Sequence, residues 1–151
     1  MEGPRSTLNL PATLDRLHEA MAFAEQQALA LGVDPSRLMG LSLAVEEAFV
    51  NICTHAYTDN QGLVTLACHT GFHEARPSFV LEIADTGPEF NPLSMAEPET
   101  DLGIEDRAVG GLGIHFIRHF SDHAHWRRED GRNILSIVLD SGPVRSQPKE
   151  S

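Results

Sequence analysis

A chain of 151 residues, 41 % of them hydrophobic, has apolar material for one buried core and no length for a second domain. Its formal charge of −11, with Lys149 as the sole lysine, excludes the basic stripe that generic nucleic-acid binding requires. No apolar run approaches the roughly 18 residues that cross a bilayer, and Met1-Glu2-Gly3-Pro4-Arg5 carries no hydrophobic signal core. The expectation is a soluble cytoplasmic domain over residues 6–140, with flexible termini at 1–5 and 141–151 and neither membrane nor nucleic acid as partner.

In chain order, Ser6 to Leu10 alternates as an edge strand does and stops at Pro11. Thr13 is placed to cap a helix that runs to Leu31 and ends at Gly32, with Leu14, Leu17, Met21, Ala24 and Ala28 recurring at helical spacing. Asp34-Pro35-Ser36 starts a second helix, whose stripe is Leu41, Ala44, Val45, Ala48, Phe49 and Ile52. Glu47, Asn51 and His55 fall at the edge of that stripe, where a helix bordering a pocket shows polar groups. Asp59-Asn60-Gln61-Gly62 reads as a turn, Leu63 to His69 and Phe79 to Ala84 as strands, and Thr70 to Ser78 as a polar link. Gly87 to Arg107 has three prolines and little periodicity, which predicts a long loop of the kind that forms lids. Ile114 to Phe120 is a helix, Ala124 to Arg127 a strand, Asp130-Gly131 a hairpin turn and Ile134 to Leu139 a buried strand. Cys53 and Cys68 read as buried single thiols, and Trp126 as strand packing and not as a ligand platform.

Three short segments carry chemistry. Glu47 and Asn51, four positions apart, share one helical face, so a carboxylate and a carboxamide can together hold a divalent cation and a polarised hydroxyl. Asp85, ahead of Thr86-Gly87, offers a carboxylate to the amino edge of a purine. Gly110-Gly111-Leu112-Gly113 opens a helix and presents backbone N–H groups to phosphates. In this order the three suggest an ATP site. His115 and His119, and His123 and His125, have spacings that zinc sites use, but no cysteine or acidic residue joins them at ligand spacing. They are expected to face solvent.

The run from Glu47 to Tyr57 resembles the N box of the bacterial anti-sigma-factor serine kinases, within the GHKL ATPase superfamily that includes gyrase, the MutL repair proteins and histidine kinases. Asp85-Thr86-Gly87-Pro88-Glu89-Phe90-Asn91-Pro92 resembles their G1 box, Gly110 to Ile114 their G2 box, and Arg127 to Asn133 the hairpin that closes this subfamily. The resemblance implies a Bergerat fold, an α/β (α+β) two-layer sandwich whose mixed, mostly antiparallel sheet has helices on one face. It also implies ATP and Mg²⁺ as cofactors, with Asn51 ligating Mg²⁺ and Glu47 acting as general base toward a serine of an anti-anti-sigma (STAS-type) partner. Asp85 would read adenine, with Gly87 allowing its close approach, and Gly110, Gly111, Leu112 and Gly113 would cradle phosphate.

The chain departs from the superfamily pattern at Glu89, where a second glycine is usual, and it has no lysine near the glycine loop, which leaves Arg107 as the nearest cation in sequence. The expected function is a protein serine kinase that regulates transcription by partner switching, with a homodimer as the assembly the family suggests. The alternative is a non-catalytic ATP-binding module of the same fold that sequesters a sigma factor or another regulator.

Overall fold

Alternate residues of each strand point to one face of the sheet, and in this chain that face collects Leu8 and Leu10, Val64, Leu66 and Cys68, Phe79, Leu81 and Ile83, and Leu135, Ile137 and Leu139. The computed structural model describes residues 5–56, 62–95 and 111–140. The strands are β1 (Ser6–Pro11), β2 (Leu63–His73), β3 (Arg76–Asp85), β4 (His123–Glu129) and β5 (Arg132–Asp140), in the spatial order β1-β2-β3-β5-β4. Among the described residues every pairing is antiparallel, where the expectation was a mixed, mostly antiparallel sheet. Among the described residues, three helices, α1 (Leu17–Ala30), α2 (Leu38–His55) and α3 (Gly111–Phe120), pack on the apolar face as the second layer.

Helix α1 packs against α2 and the sheet and buries Ala20, Ala24 and Ala28 completely, and small side chains let a helix approach its neighbours closely. Its start differs from the expectation. Leu14–Arg16 form a 3-10 turn, so Leu14 leaves the apolar stripe and stands 59 % exposed. The Thr13 hydroxyl donates to the Asp15 carboxylate and makes no backbone cap. Asp34 does cap the next segment, accepting from the Ser36 N–H at 2.9 Å, with Pro35 in the following turn. Arg5, expected in a flexible terminus, donates to Glu82 at 2.7 Å on the far side of the sheet.

The link expected from Thr70 to Ser78 is instead a continuation of the β2–β3 ladder, which closes at His73 opposite Arg76. Its two-residue turn, Glu74-Ala75, holds φ values of 52° and 69°. Neither residue favours the left-handed region, so the sequence carries no turn signal there, and the ladder holds the turn in place. Asp130-Gly131 forms the other tight hairpin, with φ values of 54° and 75° at residue types suited to them. Cys53 and Cys68 are free, and burial pushes the Cys68 thiol up to about 12, which makes it inert. The predicted turn at 59–61, Tyr57, the lid residues 96–107, Gly110 and the tail from Ser141 lie outside the described residues. No helix among the described residues is long and apolar enough to cross a membrane.

Candidate nucleotide site

Where α2 ends over the sheet it leaves a cleft of about 450 Å³, solvent mouth included. One wall is the last two turns of α2, which present Ala48, Asn51, Ile52 and His55. The floor is the sheet, and the outer wall is the segment after β3, through Pro88, Phe90 and Pro92. The small side chain of Ala48 leaves the space that a larger residue in the core stripe would fill.

Strand register orders the floor. Ile83 pairs with Leu135, and Leu135 with Trp126, giving an apolar row across three strands. Two residues along each strand, on the same face, Asp85 pairs with Asn133 and Asn133 with Arg128, giving a polar row. Asp85 is 7 % exposed, and its Oδ1 accepts from the Gly87 N–H at 2.8 Å and from Asn133 Nδ2 at 3.0 Å. Asn133 also donates to the Pro88 carbonyl at 2.8 Å and accepts from the Phe90 N–H at 3.0 Å. Arg128 donates to the Gly87 carbonyl at 2.8 Å. The segment from Gly87 to Phe90 is therefore tied to β4 and β5 by side chains 41 to 45 positions away in sequence. Asn133 and Arg128 were not singled out from the sequence as site residues. Their only signal was membership of the closing hairpin, and their roles depend on a strand pairing that composition does not reveal.

Gly87 serves a close approach of its own. A Cβ at this position would lie 2.5 Å from the Ala56 carbonyl oxygen and 2.8 Å from the Ala56 Cβ, so the loop after β3 rests directly on the end of α2. Gly87→Ala is expected to push loop and helix apart at a cost of about 1–3 kcal/mol, measured by urea denaturation. An unchanged midpoint would mean that the contact has slack and that the glycine is not needed for packing.

Asn51 lies on the buried side of α2, 9 % exposed, and its Nδ2 has no hydrogen-bond partner among the described residues. A carboxamide's oxygen and nitrogen are told apart only by their partners, so a flip of this amide would put an unpartnered oxygen where Nδ2 stands. Such an oxygen fits an oxygen-seeking cation such as Mg²⁺ held next to phosphate oxygens. Glu47, one turn earlier on the same side of the helix, is half-buried and stands outside the lining of the cleft. Burial pushes its carboxyl above the ordinary value of 4.5, and the neighbouring Glu46 charge adds to the shift. His55 stands at the mouth, its ring 5.8 Å from that of Phe90 across the opening.

Gly111, Leu112 and Gly113 form the first turn of α3, and Gly113 is thus helical and not part of a preceding turn. The first turn of a helix is where backbone N–H groups lack intrahelical partners. Arg107 and Gly110 lie outside the described residues. Glu89 is exposed and does not line the cleft. The His115 and His119 rings approach to 2.9 Å between Nε2 atoms. Among the described residues no group of three or more histidine, cysteine or acidic side chains is arranged to hold a metal ion.

The sequence pattern of the histidine kinase-like ATPase domain matches residues 10–139. The chain is 29 % identical over 143 residues to the serine/threonine-protein kinase BtrW of Bordetella bronchiseptica, a match that covers 95 % of this chain and 99 % of that protein. It is 31 % identical over 101 residues to the serine-protein kinase RsbW of Bacillus cereus, covering 63 % of this chain and 59 % of that one. Among solved structures, the RsbU and RsbW domains of Rv1364c from Mycobacterium tuberculosis superpose with a TM-score of 0.60 at 16 % identity, over 95 % of this chain and 34 % of that one. The SiaB–SiaC complex of Pseudomonas aeruginosa superposes with a TM-score of 0.52 at 18 % identity, over 89 % of this chain and 88 % of the other. These two likenesses are of fold.

Proposed function

The chain belongs to the histidine kinase-like ATPase domain family, and within it we propose a Mg²⁺-ATP-dependent protein serine/threonine kinase of the anti-sigma-factor type. Its substrate is a serine of a small anti-anti-sigma (STAS-type) protein, and phosphorylation changes which regulator the kinase holds, a sigma factor being the other partner. The observation that carries this reading is the buried, unpartnered Nδ2 of Asn51, a residue that lines the cleft together with Asp85 and stands one helical turn from a half-buried Glu47. The near full-length likeness to a protein named as a serine/threonine kinase supports the choice of reaction.

In this reading Asp85 accepts from the amino group of adenine, and the phosphate-binding residues are Arg107, Gly110, Gly111, Leu112 and Gly113. The Asn51 carboxamide oxygen is the cation's protein ligand. Bound Mg²⁺ supplies charge neutralisation on the phosphate oxygens. Glu47 takes the proton from the incoming serine hydroxyl as that oxygen bonds to the γ-phosphorus, and the leaving ADP oxygen keeps the electron pair of the broken bond. The raised Glu47 carboxyl is the better base for this than an exposed glutamate, since proton affinity rises with burial. The same reading places the protein in the cytoplasm, as one unit over residues 6–140, and as a homodimer.

The test is incubation with labelled ATP, Mg²⁺ and a STAS-domain partner. Transfer of acid-stable label to a partner serine, dependent on Mg²⁺, is the expected result. Saturable ATP binding with no transfer would reject the kinase and leave an ATP-binding sequestration module. Acid-labile label would point to phosphohistidine and overturn the assignment of the acceptor.

A further inference from the structure

The floor of the cleft carries one polar group that none of the roles above uses. Trp126 sits in the row Ile83-Leu135-Trp126, one row from Asp85, and lines the cleft. Its indole Nε1 is sealed from solvent and has no partner among the described residues. An indole nitrogen can only donate. Burying it unpaired costs free energy that phenylalanine at the same place would not, so packing alone does not account for a tryptophan here. The Asn133 Nδ2 on the same floor is already engaged, serving Asp85 and Pro88. Within one face of the sheet there is thus an acceptor at Asp85 and an unmade donor at Trp126, flanked by apolar side chains. That pairing suits a flat heterocycle with an amino group on one edge and ring nitrogens, which accept, on another.

We infer that Trp126 is a ligand-binding residue, its Nε1–H donating to a ring nitrogen of the base whose amino group Asp85 holds. The inference rests on the ATP reading and adds a second point of recognition on the base. Two points fix the base in its plane, where one acceptor leaves it free to pivot. The strand position of Trp126 makes the donor rigid, because β4 is paired along its length with β5.

Trp126 is the single tryptophan of the chain, so its emission reports on the site with no competing signal. ATP added to the wild type is expected to change that emission in step with the calorimetric isotherm. Trp126→Phe, which keeps an aromatic floor and removes the donor, is expected to bind ATP about tenfold more weakly, with an undiminished melting temperature. Deaza analogues of ATP, each with one ring nitrogen replaced by C–H, supply the second arm. One of them should lose about the same tenfold against the wild type and nothing further against Trp126→Phe, since both changes delete one hydrogen bond. The wild-type analogue series decides even if phenylalanine disturbs the floor, because it needs no variant. Equal ATP affinity in wild type and Trp126→Phe, or a wild type indifferent to every deaza analogue, would overturn the role of Trp126 alone. A wild type that binds no ATP at all would remove the nucleotide reading itself, and this inference with it.

Discussion

Asp85→Asn is expected to lower ATP affinity by about 10- to 100-fold while leaving the protein folded, an effect of the size attached to a hydrogen bond with a charged partner. The substitution is isosteric. Asn retains one oxygen, which can go on accepting from the Gly87 N–H and Asn133 Nδ2, so the ties that hold the loop after β3 stay in place. The other end of the side chain becomes an NH₂ group, which meets the amino group of a base donor to donor. Calorimetric titration with ATP reads the affinity, and thermal unfolding of the same sample reads the fold. Unchanged affinity in Asp85→Asn would remove Asp85 from base recognition. A collapsed melting temperature would show instead that the carboxylate's main work is to hold Gly87 and Asn133.

Glu47→Gln is expected to cut phosphate transfer by about 10²- to 10⁴-fold, the range that a positioned general base supplies, with ATP affinity close to that of the wild type. The same variant should be more stable at neutral pH, and the sign follows from the raised carboxyl. A folded-state pKa above 4.5 means that the folded protein holds this proton more tightly than the unfolded chain does. Ionising Glu47 therefore costs stability. The cost is absent below 4.5, grows as pH rises through the window up to the folded value, and is fully present above it. Glutamine removes that cost, so the melting temperature of Glu47→Gln should exceed the wild type's at pH 7 and match it near pH 4. Transfer by the wild type should fall on acidification with an apparent pKa above 4.5, as Glu47 takes up its proton. A variant that loses transfer without gaining stability would show that the carboxylate is compensated in the folded protein. A variant that transfers phosphate normally would end the base assignment.

Local chemistry explains which parts of this molecule were readable from sequence. The period of Leu41, Ala44, Val45, Ala48 and Phe49 fixes the buried side of α2, and with it the position of Asn51 and Glu47 on that helix, because a side chain's direction on a helix is set by its number alone. Asp34-Pro35-Ser36 and Asp130-Gly131 carry their own capping and turn chemistry, and both appear where that chemistry puts them. The order of the N, G1 and G2 boxes was likewise a property of the chain, and the family to which it belongs follows from it.

Other features arise only when distant segments meet. The Glu74-Ala75 turn contradicts its residues' preferences and exists because two long strands close on it. Leu14 fits a helical stripe by spacing, yet a 3-10 turn changes the phase and exposes it. Asn133 and Arg128 reach Gly87, Pro88 and Phe90 only through the β3–β5–β4 register. Trp126 becomes a floor residue with an unmade donor for the same reason. The sequence by itself thus determined the family, the helix that carries Glu47 and Asn51, and the acid that ends β3. The tertiary structure decided which side chains surround that acid, because strand pairing brings together residues some 40 to 48 positions apart, and no local spacing records it.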